Sequence, residues 1–219
     1  QSVNEDTSLA IGGISVSDVD ANGGDLQVTL SVSSGTLTLA DTTGLTFSTG
    51  TGAGEASVTF TGTAAAINAA LTTLSYQGDL DFNGTDTLNV TVSDQGNTGS
   101  GGALTDSGSL DIVVQAVNDQ PHLTLPADQS VNEDASLAIG GIVVSDVDAN
   151  GGDLEVTLSV SSGTLTLADT TGLTFSTGTG AGEASVRLLP HGTTQDVVFR
   201  RLEGVARRSR GPRDGRALD

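Results

Sequence analysis

The sequence predicts an all-β protein built from tandem antiparallel β-sandwich domains with a Greek-key topology. Three features lead to this prediction: short runs in which apolar and polar residues alternate, glycine-rich clusters between these runs, and a long internal repeat. Alternation with a period of two is typical of strands with one buried face, and Gly, Asn and Asp favour the tight turns between them. The 219 residues, 30 of them glycine, are enough for one or two such domains.

The repeat is nearly exact, because residues 1–58 recur as residues 129–186. The two copies differ at three positions, which are Thr7 and Ala135, Ser15 and Val143, and Gln27 and Glu155. Such repetition indicates a tandem array, and arrays usually provide length, spacing or multivalency rather than one active site.

The repeat predicts three segments. Residues 1–119 form the first β-sandwich repeat, which could lack its first strand, and residues 120–186 form a truncated second repeat. Residues 187–219 contain all eight arginines of the chain and lose the alternation. A basic arm that binds nucleic acid is one interpretation of this tail. A disordered or frame-shifted end is the interpretation that the change in composition favours.

Within the complete repeat, the alternating apolar positions predict about seven strands. They include Leu26 to Val32, Leu37 to Leu39, Leu45 to Phe47, Val58 to Phe60, Leu74 to Tyr76, Leu88 to Val92 and Leu110 to Ala116. Between Thr63 and Leu74 the apolar residues instead have helical spacing, and Thr63 can cap the first turn. We therefore expect one short helix between two strands.

The charge is distributed unevenly along the chain. Four of the 27 acidic residues lie beyond residue 186, so residues 1–186 contain 23 acids and no Lys or Arg. Such a surface repels nucleic acid and anionic membranes. The chain also has no cysteine, which excludes disulfides and thiolate-bound zinc.

Acidic and amide side chains concentrate between Val117 and Asn150. Asp146 and Asp148 would point to one side of a strand, about 7 Å apart. Oxygen ligands without a basic partner favour a hard cation such as Ca²⁺. The helix-loop-helix calcium loop is excluded, because Thr29 occupies the twelfth position counted from Asp18. The alternative is that these residues are solvated turn formers.

Four short segments of residues 1–186 carry a resemblance to a known family. They are Val3-Asn4-Glu5-Asp6, Asp18-Val19-Asp20, Val92-Ser93-Asp94-Gln95-Gly96 and Val117-Asn118-Asp119-Gln120-Pro121. Together they resemble the cadherin-like tandem repeats of large bacterial surface and type I secreted adhesins, including RTX-type and VCBS-like repeat proteins. The resemblance implies a cadherin-like or immunoglobulin-like sandwich.

The resemblance also implies that Ca²⁺ binds between consecutive domains. The ligands at the joint within this chain would be Glu5, Asn118, Asp119, Asp146 and Asp148. A preceding joint would be served by Asp94 together with Asp18 and Asp20. The acidic motif expected in the middle of each domain has no clean match, and Asp79 and Asp81 are the nearest acids.

These features predict a structural stalk repeat of a bacterial extracellular adhesin, stiffened by Ca²⁺ and supporting cell adhesion and biofilm. Its partners would be neighbouring repeats of the same chain and, through other domains, a host or biofilm surface ligand, without nucleic acid or membrane insertion. The alternative is a β-sandwich module that binds carbohydrate or protein. An enzyme is not expected, because no Cys or GxSxG nucleophile is present and the two histidines lie in the linker and the tail.

Overall fold

The computed structural model describes residues 1–97, 100–149, 152–190, 196–199 and 202–205. Within these residues the chain is mostly β-strand, with one short helix that makes up 4% of the structure. The predicted all-β sandwich class is confirmed. No helix in this part of the chain is long and apolar enough to cross a bilayer.

The chain divides into two compact units, Gln1–Val117 and Asn118–Asp219. The division lies two residues before the boundary expected from the repeat. The strands of unit 1 are β1 (Ser2–Asn4), β2 (Ser8–Ala10), β3 (Leu26–Ser31), β4 (Gly35–Leu39), β5 (Thr46–Thr49), β6 (Ala53–Glu55), β7 (Ser57–Gly62), β8 (Leu74–Gly78), β9 (Gly84–Ser93) and β10 (Thr105–Gln115). Helix α1 (Ala64–Leu71) connects β7 to β8.

Unit 1 contains two sheets. The six-stranded sheet has the order β1-β10-β9-β3-β7-β5, and the four-stranded sheet has the order β2-β8-β4-β6. All pairs are antiparallel except β1, which runs parallel to β10. A single apolar core lies between the sheets, and its largest fully buried side chains are Tyr76, Phe60, Ile11, Leu26, Leu30, Leu37, Ile67, Leu71, Leu74, Leu88 and Ile112.

Strand β3 shows how the alternation produces this core. Leu26, Val28 and Leu30 are buried, whereas Gln27 and Thr29 between them are half-exposed. Side chains of a strand alternate between its two faces, so the period of two in the sequence directly predicts one buried face.

Helix α1 begins after the predicted cap, Thr63, and ends at Leu71, so Leu74, which has helical spacing in the sequence, instead begins β8. The Thr63 hydroxyl accepts a hydrogen bond from the Ala66 N–H at 3.3 Å, which satisfies one of the free donors of the first turn. The helix buries Ile67, Ala70 and Leu71 against the core. The predicted short helix is therefore confirmed.

Unit 2 repeats part of this arrangement. Its strands are β11 (His122–Thr124), β12 (Ser136–Ile139), β13 (Ile142–Ser145), β14 (Val156–Ser159), β15 (Thr164–Leu167), β16 (Leu173–Thr177), β17 (Ala181–Glu183), β18 (Ser185–Pro190), β19 (Asp196–Phe199) and β20 (Leu202–Val205). They form three sheets with the orders β11-β13-β19, β12-β20-β15-β17 and β14-β18-β16.

Two of these strands lie in residues 187–219, where the sequence favours disorder or a shifted reading frame. Strand β20 pairs with β12 and β15, as β8 pairs with β2 and β4 in unit 1. The register corresponds as well, because Leu167 opposes Leu202 as Leu39 opposes Leu74. The described part of the tail therefore contains paired strands; its other residues beyond Pro190 lie outside the described part.

We expect Thr63→Ala to lower the free energy of unfolding of unit 1 by about 1 kcal/mol, because the first turn of α1 loses its cap. Tyr76 is the one tyrosine of a chain without tryptophan, so its fluorescence reports urea unfolding of unit 1 alone. Thr63→Ser keeps the accepting oxygen and is the matched control. Equal losses in the two variants would contradict the assigned cap.

Candidate functional site

Two acidic side chains are buried in the described part of the chain. Glu5 is 4% exposed and Asp86 is 1% exposed, and both belong to unit 1. A buried carboxylate is costly unless hydrogen bonds replace the lost water, so the donors around each one indicate its role.

Asp86 lies at the start of the buried part of β9 and accepts several hydrogen bonds. Its Oδ1 atom accepts from the Ser33 N–H at 3.0 Å, the Ser33 hydroxyl at 2.7 Å and the Thr87 N–H at 2.8 Å. Its Oδ2 atom accepts from the Ser34 N–H at 2.9 Å and the Tyr76 hydroxyl at 3.1 Å. Asp86 therefore anchors the turn between β3 and β4 to β8 and β9.

These contacts shift the pKa values of both side chains. Burial alone would raise the pKa of Asp86, but the donors from Ser33, Ser34 and Thr87 outweigh it and hold that pKa below its ordinary value. Burial, followed by the charge of Asp86, raises the pKa of Tyr76. Asp86 is thus ionised and Tyr76 neutral at physiological pH.

Sequence reasoning missed Asp86, although the sequence contains a signal for it. Asp86 is in phase with Leu88 on the alternating pattern of β9, so it occupies a position of the buried face. The partners Ser33 and Tyr76 are distant in sequence, and no local pattern identifies them. The network is a structural anchor, because it joins β8 and β9 to the turn between β3 and β4.

Glu5, predicted to bind metal, is held inside unit 1. Its Oε1 atom accepts from the Val117 N–H, and its Oε2 atom accepts from the Asn83 Nδ2 atom at 3.3 Å. The Glu5 N–H also donates to the Gln115 carbonyl at 2.9 Å. Glu5 therefore fastens the segment after β1 to the end of β10.

Two further acids lie at the same end of unit 1. The Asp6 Oδ1 atom accepts from the Asp81 N–H at 3.2 Å, and both residues have a positive φ, 58° for Asp6 and 57° for Asp81. The left-handed conformation is tolerated by Asp in turns. The acids of this end thus stabilise turns next to Glu5.

A second acidic group comprises three predicted ligands, Asp18, Asp20 and Asp94. The Asp18 Oδ1 atom accepts from the N–H groups of Asp20 at 3.0 Å and Ala21 at 3.2 Å, which closes a turn. The Asp94 Oδ1 atom accepts from the N–H groups of Gly96 at 2.9 Å and of Leu104, later in the chain, at 2.7 Å.

The charges of this group influence one another. The backbone N–H of Asp20 is the main cause that lowers the pKa of Asp18. The pKa of Asp20 is raised by the contact of its carboxyl with the Asp18 side chain and further by the charges of Asp18 and Asp94. The three carboxylates that the sequence groups together are therefore close enough to repel.

Strand β9 separates the two acidic ends of unit 1. Asn83, next to Glu5, precedes the strand, and Asp94 follows it. Ten residues at about 3.3 Å each span roughly 33 Å. Glu5 and the group of Asp18, Asp20 and Asp94 therefore cannot share one ion in this unit.

The four predicted ligands of unit 2 come together inside that unit. The Asp119 N–H donates to the Asp148 Oδ2 atom, and the Asp148 N–H donates to the Asp146 Oδ1 atom at 2.9 Å. The Asn118 side chain donates to the Asp119 carbonyl at 2.9 Å. The contact of the Asp148 N–H with Asp146 corresponds to that of the Asp20 N–H with Asp18, as the near-identical sequences predict.

Unit 1 also carries an open groove of about 330 Å³. One wall is the segment Gly13–Val16, and the floor contains Val90, Val92 and Leu110. Asp106 is the charged residue among those that line it. In unit 2, a smaller cavity of about 270 Å³ lies beside β11 and β13.

Comparison with known proteins gives one family match. Residues 11–100 match the family model described as Protein GAMETE EXPRESSED 2 domain. The matched segment lies within unit 1 and covers less than half of the chain. No curated protein matches the sequence.

This match corrects the family and the function expected from the sequence. The matching family is of eukaryotic type, so the resemblance to cadherin-like, RTX-type or VCBS-like repeats of bacterial adhesins is wrong. The stalk of a bacterial adhesin, with its roles in type I secretion and biofilm, is wrong for the same reason. The four motifs are short turn sequences, and turn chemistry alone can place Asp and Asn in them. Calcium binding stays a prediction.

We expect Asp86→Asn to destabilise unit 1 by about 1–3 kcal/mol at neutral pH, because an amide nitrogen then faces hydrogen-bond donors. Since folding lowers the pKa of Asp86, its stabilising contribution is present above the unfolded pKa of about 3.9 and is lost as the pH falls through the folded pKa. The variant should therefore lose less stability than the natural protein on acidification.

Urea unfolding followed by Tyr76 fluorescence at neutral and acidic pH measures both effects. Asp111→Asn is the control, because the Asp111 carboxylate is exposed and accepts from the Thr87 hydroxyl at 3.0 Å. Equal effects of the two substitutions would contradict the anchoring role.

Proposed function

We propose that this chain is a protein-binding β-sandwich module, without catalytic activity, of a gamete-related eukaryotic protein. The observation that carries the proposal is the match of residues 11–100 to the Protein GAMETE EXPRESSED 2 domain. The matched residues include β3 to β9 and helix α1, which form most of the core of unit 1. The proposal places the module outside the cell, where surfaces of other cells are accessible.

The aromatic side chains support a protein partner over a carbohydrate. Sugars are commonly held by exposed aromatic rings, whereas Tyr76 and Phe60 are fully buried. Phe47 is half-buried and packs against Phe60 with 5.6 Å between the ring centroids. The described side chains of unit 1 therefore offer little aromatic surface for stacking on a sugar.

The absence of a catalytic role is supported by the position of the ionisable groups. The most buried acid, Asp86, is saturated by donors and lies in the core. The groove of unit 1 has Asp106 as its charged lining residue, whereas hydrolysis by carboxylates requires a pair.

We also propose that calcium binds the acidic turns, because residues 1–186 provide no basic side chain that could neutralise them. Within unit 1, the proposed calcium ligands are Asp18 and Asp20, which form one turn, and Asp94 beside that turn. Calcium prefers carboxylate and carbonyl oxygens, and extracellular modules commonly bind it weakly.

To test the binding function, fluorescently labelled chain is added to intact gametes and to non-gametic cells of the same organism. We expect saturable binding to gametes that excess unlabelled chain displaces. Protease treatment of the cells should abolish it, because the proposed partner is a protein. Loss after glycosidase treatment alone would favour a carbohydrate, and the absence of saturable binding would exclude the proposed function.

For calcium, we expect Asp20→Asn to have opposite effects on stability and affinity. Without calcium the thermal stability of unit 1 should rise, because repulsion from Asp18 and Asp94 is relieved. The affinity of the turn for Ca²⁺ should fall about tenfold, because a charged ligand is lost. Amide shifts of residues 18–25 during a CaCl₂ titration report the binding. The control is Asp41→Asn, because the Asp41 carboxylate belongs to a different turn, in which it accepts from the Thr43 N–H. Unchanged amide shifts in the natural protein would refute the proposal.

A further inference from the structure

The chain contains two acceptor triplets for N-linked glycosylation, each an Asn followed two residues later by Ser or Thr. They are Asn83-Gly84-Thr85 and Asn89-Val90-Thr91, and both lie in unit 1. Residues 118–219 contain no such triplet. Because so short a pattern is common by chance, the surroundings of each asparagine decide which one suits a sugar.

Asn89 lies in the middle of β9 and points away from the core. Its sequence neighbours Leu88 and Val90 pack against the core, and side chains alternate between the two faces of a strand. Asn89 is therefore exposed on the outer face of the six-stranded sheet, the side away from the core. Its Nδ2 atom donates to the Thr87 carbonyl of the same strand at 3.3 Å. This nitrogen carries two hydrogens, so it can keep that bond when a sugar replaces one of them.

The side chains around Asn89 leave room for a sugar. Six neighbours on the outer face are short and end in a hydroxyl group, namely Thr29, Ser31, Thr87, Thr91, Ser107 and Ser109. A seventh neighbour, Asp111, accepts from the Thr87 hydroxyl at 3.0 Å. Hydroxyl groups donate and accept hydrogen bonds, as sugar hydroxyls do, so this face suits a hydrated glycan.

Asn83 has a structural contact that a sugar would disturb. Its Nδ2 atom donates to the Glu5 Oε2 atom at 3.3 Å, and Glu5 is 4% exposed. A sugar on that nitrogen would have to enter the space beside a buried carboxylate. Because burying a carboxylate is costly unless donors surround it, the fold favours an unmodified Asn83.

We propose that Asn89, and not Asn83, carries an N-linked glycan that covers the outer face of the six-stranded sheet. This inference rests on the proposed function, because the transfer takes place in the secretory pathway of eukaryotic cells. The donor is an oligosaccharide on a lipid diphosphate. The bond between the first sugar carbon and the phosphate oxygen breaks, and that carbon bonds to the Asn89 Nδ2 atom. The lipid diphosphate leaves with the electron pair, and one amide proton is released.

The position of Asn89 within a strand is compatible with this transfer. The glycan is added to the nascent chain before β9 pairs with its neighbours, so the folded sheet only has to accommodate the product. Strand β9 lies between β10 and β3, in the interior of the sheet. The glycan therefore rises from the middle of the outer face, and a protein partner contacts another surface of unit 1.

The experiment expresses the full chain behind a secretion signal in cultured eukaryotic cells. We expect one glycan, which peptide-N-glycosidase removes with a single mobility shift. The enzyme converts the modified Asn to Asp, so mass spectrometry of the peptides identifies the position. Asn89→Gln and Thr91→Ala should abolish the shift, whereas Thr91→Ser, the matched control, keeps the hydroxyl and should retain it. Thr85→Ala removes the other triplet without altering the contact of Asn83 with Glu5, and it should leave the shift unchanged.

The shift is measured in total cell protein, so a variant that is not exported is still scored. An unmodified natural chain overturns the inference, as does a glycan on Asn83, with or without one on Asn89. A shift that persists in Thr91→Ala also overturns it. Gamete binding by a chain that is never glycosylated would reject this site and keep the proposed function. A glycan at Asn89 on a chain that binds no gametes would do the reverse.

Discussion

The structure depends on how carboxylates are neutralised in a stretch of 186 residues without Lys or Arg. Backbone N–H groups take the place of basic side chains at Asp86, Glu5, Asp18 and Asp94. The donors of these contacts, the N–H groups of Ser34, Val117, Asp20 and Leu104, lie in turns or just outside strands. These four carboxylates therefore stabilise connections between strands.

The sequence predicts the part of the fold that is encoded locally. Alternation in β3 identifies its buried face, and Thr63 with the apolar spacing after it identifies α1. Two contacts could not be predicted from the sequence, namely those of Tyr76 with Asp86 and of Asn68 with Val16. Each joins residues of different elements, and a periodic pattern carries no information about which elements become neighbours.

In the candidate site, too, local turns can be predicted from the sequence, whereas the family cannot. The turns at Asp18 and Asp146 share one contact, in which the carboxylate accepts from the N–H two residues later, and a local motif can predict this contact. Their sequences nevertheless led to the wrong family, because short acidic turns arise from turn chemistry in unrelated sandwiches. Strand β20 occupies the position of β8 although the two have little sequence similarity. This is possible because backbone groups at an open sheet edge can pair with another extended segment.

The near-identity of the two copies has a consequence for biosynthesis. Strand β3 pairs with β7 and β14 pairs with β18, yet residues 1–58 and 129–186 are almost interchangeable. A nascent chain can therefore assemble a hybrid in which strands are exchanged between copies, a known failure of repeat proteins. Strands β9 and β10, which have no counterpart among the described residues of unit 2, bias the competition toward correct assembly. Vectorial emergence from the ribosome adds to this bias, because the first copy collapses before the second is made.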